Sequence, residues 1–339
     1  MSRPLVVGLG LSVALLLSLG AALAWGSEAL AWSTIATALR HGPGDGAPDR
    51  IVQVIVWELR MPRAVLALAV GGGLAVIGVA MQALVRNPLA EPYVLGVSSG
   101  ASAGASLFYL GFLPPLVSKA LSLPLAAFLG ALAAIIVVFA VARTGPRLST
   151  ARLLLAGVAV SAFLAAITAF VTYASPDPQK MRAVLFWLLG SLAGARWSTV
   201  GLPVALALGG TLILLLLARP LDALLTGEEP ARSLGIPVEG LKRVLIGLAA
   251  AVTGVLVAAS GIIGFVGLII PHAVRFLVGA SHRRVVPLAF AAGALFLLWA
   301  DLVARTVLPG QELPVGILTA LCGVPFFLLL LRRTGRLPS

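Results

Sequence analysis

Long apolar runs recur along this chain, and they fix what it can fold into. Ten of them, at about 5–25, 62–84, 93–112, 124–142, 152–173, 200–218, 242–260, 262–279, 285–304 and 314–331, are separated by polar, proline or glycine punctuation. Each approaches the roughly 20 residues that cross a bilayer. In lipid every backbone N–H and C=O must be satisfied internally, so such runs are helices. The composition leaves no soluble alternative: 60% of the 339 residues are hydrophobic, 11% are charged and the mean hydropathy is +1.08. That is too little polar surface to cover a water-exposed body of this size. Disorder is excluded by the same figures, and a disulfide scaffold by the single cysteine, Cys322. The expected fold class is an all-α polytopic membrane protein of about ten transmembrane helices, forming one domain over 1–339. The first run follows Arg3 as a secretory signal does, but its length and the lack of a small-residue cleavage site favour a span.

The formal charge of +12 suggests nucleic acid in a soluble protein; here it bears on orientation. Ten spans put both termini on one face. If that face is cytoplasmic, fifteen Lys and Arg lie inside, from Arg3 and Arg86 to Arg332, Arg333 and Arg336, against nine outside. The positive-inside rule therefore favours cytoplasmic termini.

Several chemistries are missing. There is no G-x-x-x-x-G-K-[ST] phosphate loop, and none of the three lysines follows a glycine, so the chain is not expected to hydrolyse ATP itself. His41, His272 and His282 lack metal-ligand spacing, so no metal or cofactor is expected on this chain. Neither G-x-S-x-G nor H-E-x-x-H occurs. An intramembrane enzyme needs paired groups at membrane depth, and an ion-coupled carrier needs acids there. Most charges here fall near the ends of spans.

Arg60 and Arg63 flank Pro62 at the outer start of the second span. Cations oppose the partial positive charge of a helix N-terminus by about 0.3–1 kcal/mol each. One reading pairs them with Glu58 or lets them snorkel; the other makes them an outward-facing carboxylate site, since Arg grips carboxylates with two parallel hydrogen bonds. Asp301 and Arg305 sit four apart near the outer end of the ninth span, a spacing that satisfies itself, and Arg305 also shares the outer surface with the other two. Pro271-His272 predicts a broken or kinked eighth span. His272 is read as serving exposed backbone or facing the loops. Gln82 must find a partner in lipid, and Asn87-Pro88 ends its span in a turn. Gly96, Gly100 and Gly104 repeat every four residues, as do Gly157, Ser161 and Ala165. Such stripes allow close helix packing within one bundle, with a subunit interface or pathway lining as the other reading. Residues 219–241 form the longest inward loop. Acids and Pro230 followed by Gly235 predict one or two short helices outside the membrane. A mere connection needs about 2–8 residues, so a docking surface is expected there.

The fragments LRMPR (59–63), RNPLAEPYVLGVSSGA (86–101), LSTARLLLAGV (148–158), FWLLGSL (186–192), TGEEPARSLGI (226–236), GIIGFVGLIIPHAVR (261–275), ADLVAR (300–305) and ELPVGILTALCGVPFF (312–327) together resemble the FecCD family of permeases, membrane subunits of type II ABC importers. The resemblance implies the type II importer permease fold with short cytoplasmic coupling helices. It also implies a homodimer in a bacterial cytoplasmic (inner) membrane, two cytoplasmic ATPase subunits that use ATP and Mg, and one extracytoplasmic substrate-binding protein. Nucleic acid is not an implied partner. The cargo it implies is a metal chelate, with iron-siderophore first and haem or cobalamin behind it. It makes 219–241 the coupling segment, with Glu228, Glu229, Arg232 and Gly235 in its motif. Arg60, Arg63 and Arg305 match positions that meet acidic residues of the binding protein. Ser149 and Thr150 resemble a cytoplasmic gate, Asn87 and Leu89 a second constriction, and the fifth span, with Gly157 and Ser161, lines the pathway. Two departures stand out. Pro230 replaces a small helix-former, so that helix is expected to begin a turn later. Ser281 stands where an acid is common, which removes the expected partner of an ion pair there.

Overall fold

The computed structural model describes residues 3–26, 28–44, 49–144, 147–308 and 310–334; Arg336, counted above on the cytoplasmic side, lies outside them. In chain order the helices are α1 (Arg3–Ala24), α2 (Trp32–His41) and α3 (Arg50–Gln53), which runs through a π-helical stretch, Val54–Arg60, into α4 (Met61–Val85). A 3₁₀ turn, Pro92–Leu95, precedes α5 (Val97–Tyr109), α6 (Pro115–Ala120) and α7 (Leu123–Ala142). Then come α8 (Thr150–Tyr173), α9 (Pro178–Leu188), α10 (Trp197–Leu216), α11 (Ala218–Leu225) and α12 (Glu228–Ser233). The chain closes with α13 (Val238–Ser260), α14 (Val266–Val278), α15 (His282–Ala304) and α16 (Val315–Thr334). The only strands among the described residues are a two-residue antiparallel pair, Arg143–Thr144 with Arg147–Leu148.

Among the described residues seven helices are long and apolar enough to cross a membrane, and their limits fall close to the expected runs except that the second continues back to Arg50 through the π-helical stretch. The third and eighth runs differ. Each yields only 13 helical residues, α5 and α14. Both are preceded by non-helical backbone, the 3₁₀ turn before α5 and residues 261–265 before α14. The break in the eighth run thus falls before Pro271, which α14 contains. Such backbone is tolerated at membrane depth where protein buries it.

The centre of the bundle is α4, whose apolar window is 89% buried; it packs against α10, α13, α14 and α15. The small-residue stripe of α5 packs inside the bundle: a Cβ on Gly100 would collide with the Gly130 carbonyl oxygen of α7, so the two backbones touch. The helix α8 is the opposite case. Leu153, Ala156, Gly157 and Val171 are its buried residues, while Leu155, Val158, Phe163, Phe170 and Tyr173 are exposed.

Long-range contacts obey the alternation of ten crossings. At one pole, the outer one in the expected orientation, Arg60 and Arg305 meet the end of α1 and Arg63 meets Asp301 and Glu312. At the other, the inner one in that orientation, Asp222 meets His282 and Glu228 meets Lys242.

Candidate functional site

At the outer pole the chain must satisfy the last carbonyls of α1, which have no partner within that helix. Two arginines do this. Arg60 donates from Nη1 to the Leu23 oxygen at 2.6 Å and the Ala24 oxygen at 3.0 Å, and from Nη2 to the Glu28 oxygen. Arg305 donates from Nη2 to the Ala22 oxygen. A cation at a helix C-terminus also complements its dipole. Both arginines are only 7% exposed. Burial pushes the Arg305 guanidinium down to about 10, with Asp301 pulling the other way.

Arg63 lies between them. Its Nε and Nη2 reach Asp301 at 3.0 and 2.9 Å, and its Nη1 reaches both Glu312 oxygens at 3.0 and 2.9 Å. Asp301 therefore serves Arg63, and Arg305 stands 3.8 Å from it. The Asp301–Arg305 pair read from the spacing is present at 3.8 Å but is not self-contained: Asp301 takes its hydrogen bonds from Arg63, whose guanidinium fork reaches it across the bundle. Neither Arg60 nor Arg63 takes Glu58, which is exposed. An outer cavity of about 750 Å³ opens nearby, between Trp57 and Glu58 of the π-helical stretch and Arg196 and Trp197 at the start of α10.

At the inner pole α12 is fixed to α13 by a local charge network. Lys242 Nζ, on a side chain 2% exposed, lies 2.7 Å from Glu228 and 3.7 Å from Glu239. Arg232 reaches Glu229 at 2.7 Å, Glu239 at 3.2 Å and Glu228 at 3.4 Å. The helix stops in a Schellman arrangement: Gly235 N–H donates to the Arg232 oxygen and Ile236 N–H to the Ala231 oxygen, and Gly235 takes φ 79°, where glycine avoids the Cβ clash. Glu229 and Leu234 stay outward, 84% and 70% exposed.

Both departures resolve physically. The helix starts at Glu228 rather than a turn later, because proline fits a first helical turn, whose N–H groups need no partner in the helix. The acid facing His282 comes from α11: Asp222 Oδ1 accepts from the His282 backbone N–H at 2.9 Å and lies 2.6 Å from Nδ1.

In the turn after α4, at the end remote from Arg60 and Arg63, Asn87 Oδ1 accepts from Leu89 N–H at 2.9 Å. Ser149 caps α8 through the Arg152 N–H, and Thr150 is that helix's first residue. No hydrogen bond among the described residues joins these two turns. Gly157 and Ser161 face the 3₁₀ turn, since a Cβ on Gly157 would collide with the Val94 carbonyl oxygen and one on Gly96 would lie 3.4 Å from Ser161 Oγ. Gln82 donates to the Gly267 and Leu268 oxygens at 3.4 and 3.3 Å and accepts from Arg275. His272 sits edge-on to Phe326.

Sequence reasoning missed Glu91, Tyr93, Asp222, Glu239 and Glu312, and counted Lys242 only as an inside charge. For Glu91 the signal was an acid between apolar runs. The others take partners that local spacing does not disclose. No group of three or more His, Cys, Asp or Glu that could hold a metal occurs among the described residues.

Comparison with known proteins agrees with this architecture. The FecCD transport family model matches residues 11–333. The cobalamin import system permease BtuC of Halobacterium salinarum is 44% identical over 306 residues, covering 90% of this chain and 80% of that one. The hemin transport system permease HmuU of Yersinia pestis is 44% identical over 281 residues, covering 82% and 83%. A solved metal-chelate type ABC transporter in an inward-facing conformation superposes with a TM-score of 0.84 at 32% identity, covering 97% of this chain and 99% of that one. The chain belongs to the FecCD transport family and is a multi-pass permease subunit of an ABC importer.

Proposed function

We propose that this permease carries a metallated tetrapyrrole, with cobalamin first and haem second, from a binding protein into the cytoplasm by alternating access. The observation that carries this is the pair of relatives named for cobalamin and hemin, each at 44% identity over most of the chain. It moves the cargo away from the iron-siderophore expected on family breadth.

Two copies form the pathway, in the cytoplasmic membrane with termini inside. Two ATPase subunits grip the inner pole, and they supply the free energy from ATP and Mg. Support for the inner contact is α12 itself: a short helix outside the spans, tied to α13, with Glu229 and Leu234 left outward. Asn87, Leu89, Ser149 and Thr150, in the turns that follow α4 and open α8, form the cytoplasmic gate. The binding protein docks on the outer pole. There Arg196 is an exposed cation that suits acidic lobes, and Arg60, Arg63 and Arg305 form the frame beneath it. Attack of water on ATP takes place on the ATPase subunits, and the work of this chain is to convert motor movement into access on one side at a time.

The test is titration of the cognate binding protein with cyanocobalamin, haemin and a ferric siderophore, followed by ATP-driven uptake of the bound ligand in proteoliposomes holding the full complex. Binding and uptake of cyanocobalamin or haemin is the expected outcome; uptake of the ferric siderophore alone contradicts the tetrapyrrole reading.

A further inference from the structure

The non-helical backbone before α14 holds an unusual residue. Phe265 takes φ 69° and ψ −19°, a left-handed conformation that a bulky side chain adopts only when its surroundings over-determine it. Three contacts do so. Glu91 Oε1 accepts from the Phe265 N–H at 2.7 Å, a charge-assisted bond at the positive end of α14. Tyr93 donates its hydroxyl to the Ile263 oxygen at 2.8 Å and accepts from the Ile263 N–H at 3.3 Å. The Phe265 ring lies over Gly323 of α16, where any Cβ would displace it. This junction is at membrane depth: Gly78, about 25 Å along α4 from Met61 at 1.5 Å per residue, touches Gly267.

Glu91 and Tyr93 bracket the start of the 3₁₀ turn 92–95, whose far side is pressed on α8 at Gly157. Residues 261–265 continue directly from α13, which carries Glu239 and Lys242 of the inner charge network at its other end. One unbroken set of contacts thus runs from α12 through α13 to Phe265, across Glu91 to the 3₁₀ turn, and on to α8.

We propose that Glu91 is a positioning residue for transport: it latches the pathway helix α8 to the junction that α13 moves, so that displacement of the coupling segment reaches the pathway. This rests on the importer reading above. Glu91 touches no cargo. It acts through the Phe265 N–H, and any acceptor of the same reach serves it.

The test uses the full complex in proteoliposomes with Glu91→Leu, Glu91→Gln and Tyr93→Phe, and spin labels on Leu155→Cys in both copies, in a Cys322→Ser background. In the unaltered complex ATP shifts the distance between the labels on α8. Glu91→Leu abolishes that shift and lowers cargo moved per ATP about tenfold, the equivalent of one charge-assisted hydrogen bond, while ATP is still hydrolysed. Glu91→Gln keeps an acceptor and restores both readouts. If Glu91→Leu fails to assemble, Tyr93→Phe decides, because it removes a hydroxyl and nothing else; it reduces the shift and the coupling ratio in the same direction. An undiminished shift and coupling ratio in Glu91→Leu, or in Tyr93→Phe when that variant decides, overturns the latch, as does failure of Glu91→Gln to rescue. Absence of cyanocobalamin and haemin uptake by the unaltered complex, with the label shift intact, overturns the tetrapyrrole reading and leaves the latch standing.

Discussion

The two poles carry the chain's densest charge, and they use it in opposite ways. At the outer pole, partners are 37, 238, 249 and 283 residues apart in sequence, and the groups are nearly all buried. At the inner pole Arg232 and Lys242 take acids close by in sequence, Glu228, Glu229 and Glu239, and Glu229 is 84% exposed. Charges of the first kind staple distant segments into one bundle. Those of the second kind stiffen one short element and hold it out for a partner. A substitution should therefore damage folding at the outer pole and coupling at the inner one.

The sharpest attempt to break this contrast is Arg63→Ala. It leaves Asp301, whose side chain is 3% exposed, with only Arg305 at 3.8 Å and without its hydrogen-bonded partner, at a cost of up to about 3–5 kcal/mol. Thermal unfolding in detergent should show a much lower midpoint and poor yield. A stable, well-expressed variant that merely loses the binding protein would return Arg63 to a simple docking role.

Arg60→Met comes next. It strips three donors from the end of α1 and costs about 2–3 kcal/mol, read by the same unfolding measurement and by proteolysis of the segment after α1. At the inner pole Lys242→Met removes a buried cation from Glu228, which is partly solvated at 25% exposure. A loss of about 1–2 kcal/mol is expected, together with reduced uptake per ATP in proteoliposomes. The smallest effect belongs to Arg232→Ala: its side chain is 33% exposed, so stability changes by under about 1 kcal/mol. Assembly with the ATPase, followed by co-purification, should weaken more visibly than the fold.

The contrast also governs what was legible in the sequence. Helices in lipid announce themselves by hydropathy, so α1, α4, α7, α8, α10, α13 and α15 lie close to their expected limits. The inner network is written in local spacing, Glu228 and Arg232 four apart, and Gly235 marks its stop. The outer frame is not legible that way. Asp301 has Arg305 one helical turn away, yet it takes Arg63 because the bundle brings a guanidinium fork across from α4. The half-length helices α5 and α14 were hidden for a different reason. Hydropathy reports burial and is blind to whether buried backbone is helical, so the strained Phe265 passed as part of an apolar run, and its acceptor Glu91 as part of the turn between two others.

The most direct measurement of the account is ATP-driven cyanocobalamin uptake by proteoliposomes containing the complex with Leu234→Asp. Leu234 ends α12 and is 70% exposed, so the fold gives nothing up to the change. The account predicts an unaltered unfolding midpoint, release of the ATPase from the permease and loss of uptake. Full uptake with the ATPase no longer bound at this segment would contradict it.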